Sequence, residues 1–507
     1  MSSELDPGEG TRTWLTERAL LLGVASPEHA RRTARGLRAL LDESHEVIPA
    51  LRSVLIEADH PLDPDLEDRI GAMVLGEELD ESLEHAIEIV LDGEDLAEVE
   101  AVTSLDGAAI ATQLESTTFE VGTMGFAPGF GYLLGELGRL GELGRRATPR
   151  ARVPAGSLAT AAGQLAIYPQ ASPGGWWLLG RSPAPLFDPW RDRPALLAGG
   201  DRVRFSVVSD APAAPIFLPP TAARIPGVLK VRATPPGVLV VDDARRGYGE
   251  VGVGPSGPFD PEQAGDLRGL LGSAPGVLEV SAAGLELEVR RPCTVAGVRL
   301  DLELDGRPLP EGRPVHLSSG ILSVRTVRGP RGYLGLAGGP KVPEVLGSMA
   351  TSMLSGLGPG FLAAGDELGA ELPGPLRARM DVAPRPTELR VMRGPHVGVL
   401  DDDGARIDGL RLRIEEPSNR VGLRLRPLGD SLARRAGDVT SVPVVTGAIQ
   451  LPPDGNPVIL GPDRATLGGY PLIAAVIGAD LGRLGRLGVG DEVTLRVVSL
   501  DEARRLA

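Results

Sequence analysis

The chain has little sulfur, few amines and few aromatic rings. Of its 507 residues one is cysteine, Cys293, which excludes an internal disulfide and a cysteine-based zinc site. Cys293 sits in an apolar run and reads as core. Two residues are lysine, Lys230 and Lys341. Neither closes a G-x-x-x-x-G-K-[ST] loop, so a nucleotide-binding P-loop is excluded. Neither has the Met-Lys-Met surroundings of a biotin attachment site, and any Schiff base would have to form on one of them. The six histidines show no H-E-x-x-H or similar spacing, so no metal site is expected. No apolar run reaches ~18 residues, and Met1 to Gly10 is acidic and glycine-rich. The expectation is therefore neither a transmembrane helix nor a secretory signal, and a cytoplasmic location.

What is abundant is acid and turn residues. The net charge of −16 argues against nucleic acid or an anionic membrane as partner. Gly (68) and Pro (46) are frequent while apolar residues still make up 42%, which describes a turn-rich folded chain rather than disorder. The length suggests two to four domains.

Near the N-terminus the apolar run Ala19–Val24 reads as a strand. Pro27 then opens a helical pattern through Ala30, Ala34, Leu37, Leu40 and Leu41, and Val47 to Ala58 alternates like one strand. Residues 81–100 repeat the strand-then-helix order, so 14–105 is expected to be a small α/β unit. From ~120 onward short apolar runs are broken by Gly and Pro every ~8–12 residues, as in barrels or sandwiches. The Pro/Ala-rich stretch 213–225 reads as a linker. Two segments echo each other. Gly174-Gly175-Trp176 precedes Gly200-Asp201 and an alternating run to Ser209, and Gly468-Gly469-Tyr470 precedes Gly490-Asp491 and another such run to Ser499. The pattern predicts two related barrels.

Three dense loops could carry chemistry. The first, Gly125 to Leu133, combines glycines with Phe126, Phe130 and Tyr132. The second runs from Thr148 to Ser157 and holds Arg150 and Arg152, two guanidiniums that an extended chain would turn to one side as a fork for carboxylate or phosphate. It leads to Gly163–Pro169, which contains Tyr168. The third, Gly447 to Pro471, sets Gln450, Asp463 and Thr466 among Pro and Gly as a hydrogen-bonding rim. Gly429-Asp430-Ser431-Leu432 spells a hydrolase phrase, but no histidine follows His396, so no serine nucleophile is assigned there.

Taken in order, these loops resemble the KipI-like and KipA-like proteins, also known as the B and C components of 5-oxoprolinase or as allophanate hydrolase subunits 1 and 2, and the matching modules of urea amidolyase. Gly125–Leu133 fits G-F-x-P-G-F-x-Y-L, Pro149–Ser157 fits P-R-x-x-V-P-A-G-S, Gly163–Pro169 fits G-Q-x-x-I-Y-P, and Pro173–Trp176 fits P-G-G-W. In the second half, Ser418 to Leu425 fits S-x-R-x-G-x-R-L through Arg420, Gly447–Gly455 fits G-A-I-Q-x-P-P-D-G, and Asp463–Pro471 fits D-x-x-T-x-G-G-Y-P. The phrase V-Q-D-x-G-R-x-G-Y is altered. Asp242 and Arg245 are kept, while Val241 and Ala244 replace Gln and Gly. Ser256-Gly257-Pro258-Phe259-Asp260 stands for S-G-A-x-D, and the histidine usual before the first loop is missing near Gln113.

The resemblance implies an α+β, mainly β fold: a KipI-like half, 14–212 (14–105 small α/β, 106–212 cyclophilin-like barrel), and a KipA-like half, 226–507, of tandem barrel-like domains. It implies one component of an ATP-dependent 5-oxoprolinase-type amidohydrolase that opens 5-oxoproline to glutamate. The separate partner would resemble the A component of 5-oxoprolinase, with ATP held by that partner or at the interface with it. On this reading Asp242, Arg245, Gln450 and Asp463 are the catalytic candidates, and Arg150, Arg152, Ser157, Tyr168, Arg420 and Thr466 bind substrate. Two rivals make different demands. A carboxyltransferase module of the urea carboxylase type would need biotin on another chain. A non-catalytic regulator would bind a kinase.

Overall fold

The computed structural model describes residues 7–73, 82–146, 148–215, 227–430, 432–435 and 439–507. Most of the expected linker, 216–225, and Ser431 of the hydrolase phrase lie outside the described residues.

The N-terminal unit is a four-stranded antiparallel sheet of Arg12–Thr16, Ala19–Gly23, Ser53–Ala58 and His45–Pro49 in that order. Helix Pro27–Leu40 covers one face. Ser26 accepts the His29 amide as its N-cap, Pro27 occupies the first turn, and Ala30, Thr33, Ala34 and Leu37 point inward. The run Val47–Ala58 is not one strand. It turns at Ala50–Arg52 into a hairpin, with Ile48 facing Leu55.

Residues 84–89 depart from expectation too. They do not join the first sheet but pair in parallel with Arg202–Val207, in register Glu84↔Arg202 to Ile89↔Val207. The first barrel therefore begins in the 80s rather than at 106. Its seven strands run in the order Trp177–Arg181, Ser157–Ala161, Gln164–Ile167, Gly131–Leu134, Thr118–Met124, Arg202–Val207, Glu84–Ile89. A bridge from Val90 to Arg181 links the two ends.

The last barrel, which is closed, repeats this plan strand for strand: Glu388–Arg393, Leu472–Val476, Ala448–Gln450, Val458–Leu460, Gly422–Pro427, Arg411–Glu415, Glu492–Val497. The two strands that follow Gly-Asp occupy the same slot. Each pairs in parallel with the barrel's first strand and antiparallel with the strand that follows it. Each barrel also carries a side ribbon, Arg150–Val153 with Ser172–Gly174 and Val442–Pro443 with Leu467–Gly468. The internal echo in the sequence is thus a structural duplication.

Between the barrels, the unit that begins near 227 is not a second closed barrel. It is two facing sheets, of six and five strands, around an aliphatic core that includes Val231, Leu287, Val295 and Leu322. Helix Pro261–Leu270 packs on the outer face of the five-stranded sheet through Leu267 and Leu270.

One further core joins the pieces. Leu15, Ile48 and Leu55 of the N-terminal sheet, Phe130, Tyr132 and Tyr168 of the first barrel, and Val444, Leu467 and Leu472 of the last barrel form a single buried cluster. The two halves are therefore held by ordinary core burial, at roughly 25 cal/mol per Å² of apolar area.

Candidate functional site

The glycine-rich loops meet along this seam. Gly125 has φ +155°, and a Cβ there would lie 2.3 Å from Leu467 Cγ of the other half. Gly252 has φ +86°, and its Cβ would lie 2.2 Å from the Ala127 carbonyl oxygen. At both positions glycine permits the backbone angle and lets the opposite half come into contact.

Behind Gly125 stands an aromatic wall. Phe130 meets Phe126, Tyr132, Tyr168 and Trp176 edge-on, with centroids 5.0–5.9 Å apart. Burial pushes the Tyr132 hydroxyl up to about 12, and it bonds to Ser441 of the last barrel. Burial likewise raises Tyr168 above the ordinary tyrosine value. Ser157 is buried beside it, its carbonyl accepting the Tyr168 amide at 2.9 Å. Across the seam, Gln450 Nε2 reaches the Tyr470 carbonyl at 3.4 Å, and the Thr466 hydroxyl is buried with no partner among the described residues.

The two arginines of the second loop part company. Arg150 Nη2 donates to Asp95 at 2.5 Å, the main cause of its raised pKa, while Arg152 is exposed. The register of their strand shifts against Ser172–Gly174, and this irregularity breaks the alternation that would have put both on one side.

Asp242, Arg245 and Asp463 converge on the loop 345–353, and Arg420 joins them through Asp463. Asp242 accepts the Ser348 hydroxyl and the Met349 amide, both at 2.7 Å. Arg245 donates Nε to the Val345 carbonyl and Nη2 to the Ala350 carbonyl, and burial lowers its pKa. Asp463 accepts the Met353 amide and Arg420 Nε, each at 2.9 Å. Arg420 also donates Nη1 to Glu279 at 2.6 Å and Nη2 to the Gly257 carbonyl and Asp463. Every nitrogen of Arg420 is therefore engaged inside the protein. Burial works against its charge, but Glu279 and Asp463 overcome that and raise its pKa. Arg420 and Asp463 clamp the last barrel onto the middle unit, while Asp242 and Arg245 hold the loop 345–350 within the middle unit.

A cavity of about 140 Å³ opens beside the clamp, where the N-terminal sheet, the middle unit and the last barrel meet. Thr16, Glu46 and Glu57 come from the N-terminal sheet, Ala244 and Ser256 from the start of the second half, and Thr446 from the last barrel. Glu57 pairs with Arg464 at 2.8 Å, and Asp59 and Asp243 pair with Arg246 and Arg268. Glu46 makes no ion pair among the described residues. It accepts the Gly249 amide at 2.6 Å, and burial, then the nearby Glu57 charge, raises its pKa. The Ser256 hydroxyl is buried without a partner among the described residues. None of the ten residues singled out from the sequence lines this cavity. Glu46 carries no sequence signal beyond being an acid on an apolar strand. Ser256 opens the altered S-G-A-x-D phrase, which by itself points to no role. The cavity does not suit ATP, because it is small beside the ~300–1,000 Å³ of typical ligand pockets.

Residues 251–497 match the family described as carboxyltransferase domain, subdomain A and B, and residues 10–197 match subdomain C and D. The C component of the Haemophilus influenzae 5-oxoprolinase is 30% identical over 293 residues, which is 55% of this chain and 92% of that protein. The chain belongs to the carboxyltransferase-domain family. The B component of the Escherichia coli O157:H7 5-oxoprolinase is 46% identical over 113 residues, 22% of this chain and 51% of that protein, so the chain spans about half the length of that relative. The urea amidolyase of Lachancea kluyveri is 28% identical over 305 residues, 52% of this chain but 16% of that protein. Among solved structures, that of TTHA0988 superimposes with TM-score 0.83 at 31% identity, covering 95% of this chain and all of the other. B-like and C-like halves are thus fused in this family member. No described helix is long and apolar enough to cross a membrane.

Proposed function

We propose that this chain is the fused B/C component of a 5-oxoprolinase-type amidohydrolase, acting with a separate A-like protein to open 5-oxoproline to glutamate. The observation that carries the reading is that the B-like and C-like halves, each similar to a 5-oxoprolinase component, wall one small cavity together. A five-membered lactam suits such a space, since an apolar cavity of ~150 Å³ holds a benzene ring. An unactivated ring amide resists water, and the energy of ATP offsets that resistance. With no P-loop and no room in this cavity, the nucleotide belongs with the partner or at the interface with it. This chain's task is to bind the ring, fix its orientation and keep bulk water away.

The test is co-expression with a homologue of the A component and measurement of glutamate formed from 5-oxoproline and ATP. ATP-dependent glutamate is the expected result. Its absence in every reconstitution, with each protein folded, overturns the reading. The similarity to urea amidolyase favours a second reading, carboxyl transfer from biotin carried on another chain. Retention of a biotinylated protein through purification, detected with streptavidin, would favour that one.

A further inference from the structure

We infer that the junction cavity is a lactam-recognition site in which the carboxyl of Glu46 pairs with the ring amide edge and the Ser256 hydroxyl supplies an adjacent hydrogen bond. The choice of a lactam rests on the reading above, whereas the binding chemistry rests on the cavity itself.

A ring amide is held cis, so its N–H and C=O lie on one edge. A protonated carboxyl presents the complement, an O–H donor beside a C=O acceptor, and the two close a double hydrogen bond. An ionised carboxylate accepts only, and it would repel the carbonyl. Burial and the Glu57 charge shift Glu46 toward its neutral form, against the Gly249 amide and the Arg464 and Arg246 charges. Glu57 faces it from the neighbouring strand, and the cavity wall adds Asp59 and Asp243 as further acids. Arg464, Arg246 and Arg18 oppose them. Arg464 and Arg246 are themselves paired with Glu57 and Asp59, and Arg18 lies 3.3 Å from the fully buried Glu17. Glu46 alone of these carboxylates has no cationic partner among the described residues.

Ser256 is the independent observation. It is 4% exposed, it lines the same cavity, and its Oγ has no partner among the described residues. A buried hydroxyl left without a partner is costly, and a bound ligand that hydrogen-bonds to it removes the cost. Its position is also defined. The backbone at φ +57° is fixed by its amide bonding to the Pro462 carbonyl at 2.9 Å. The site thus draws Glu46 from the first half of the chain and Ser256 from the second.

The experiment titrates 2-pyrrolidinone, a neutral lactam, into the full chain without partner or ATP, followed by ligand-observed NMR across a pH series. Saturable binding is expected, weakening as pH rises above the ordinary carboxylate range. Glu46→Gln keeps a donor and an acceptor on one edge at all pH. It is expected to bind within a few-fold of wild type with a flat profile. Glu46→Leu and Ser256→Ala are expected to weaken binding by roughly tenfold or more and by a few-fold. Melting curves verify that each variant is folded. The inference is overturned if 2-pyrrolidinone does not bind, if folded Glu46→Leu binds like wild type, or if wild-type binding is flat with pH. Turnover of 5-oxoproline in the reconstituted enzyme without 2-pyrrolidinone binding sinks this inference and leaves the proposed function. Binding without turnover does the reverse.

Discussion

Replacing Arg420 by methionine separates a clamp from a substrate contact. In the structure Arg420 faces Glu279 and Asp463, both nearly fully buried. The next positive group is Arg331, with Nε 4.0 Å from Glu279. Burial pushes the Glu279 carboxyl up, but the charges of Arg420 and Arg331 outweigh it and hold its pKa below the usual range. Removing one partner of a buried pair costs about 3–5 kcal/mol, because the remaining charge is left uncompensated. The Met353 amide bonds to Asp463 at 2.9 Å, so its hydrogen exchange reports on the clamp. At tenfold per ~1.4 kcal/mol, exchange in Arg420→Met is expected to accelerate between roughly a hundredfold and a few thousandfold.

The pH dependence has a definite sign. In the wild type, the depressed Glu279 contributes stability above its unfolded pKa and loses it as pH falls through the folded value. In the variant burial outweighs the remaining Arg331 charge, the carboxyl pKa rises, and the deficit shrinks on acidification. Adding Glu279→Gln and Asp463→Asn is expected to restore most of the protection. Met353 exchange within about threefold of wild type in Arg420→Met would refute the clamp and return Arg420 to the substrate-binding role expected from the sequence.

Other outcomes follow from single positions. Ala244 sits at φ +122°, where the family phrase has glycine. Ala244→Gly is expected to relieve about 1–3 kcal/mol of strain against ~0.5–1 kcal/mol of added chain entropy, and so to raise the unfolding midpoint. A lower midpoint would contradict this. Gly125→Ala places a methyl against Leu467 and is expected to cost about 1–3 kcal/mol, part of which Leu467→Ala restores in the double variant. Purely additive effects in a thermal-unfolding cycle would argue that the halves do not touch there. Tyr132→Phe removes the bond to Ser441 across the seam and is expected to cost about 0.5–1.5 kcal/mol in chemical denaturation, and an unchanged midpoint would contradict that contact.

Local chemistry is readable in the sequence wherever it acts over short distances. Pro27 announces the first helix, and the two Gly-Asp turns announce equivalent strands of two barrels. The motifs that name Asp242, Arg245, Arg420 and Asp463 do mark residues that meet, through the loop 345–353 and the Arg420–Asp463 pair. Long-range geometry is not readable. The strand Glu84–Ile89 looks local, yet its parallel partner lies more than a hundred residues away. The alternation of Arg150 and Arg152 implies one face, and the register shift undoes it. Glu46 and Ser256 gain meaning from the cavity that three distant segments enclose, and nothing near either residue along the chain announces it.

The most direct test of the account is a crystal structure of the full chain with 5-oxoproline bound. The ring is expected in the junction cavity, its amide edge against Glu46 of the first half and a hydrogen bond from Ser256 of the second. A ligand held by one half alone, or seated on the exposed Arg152 face, would contradict it.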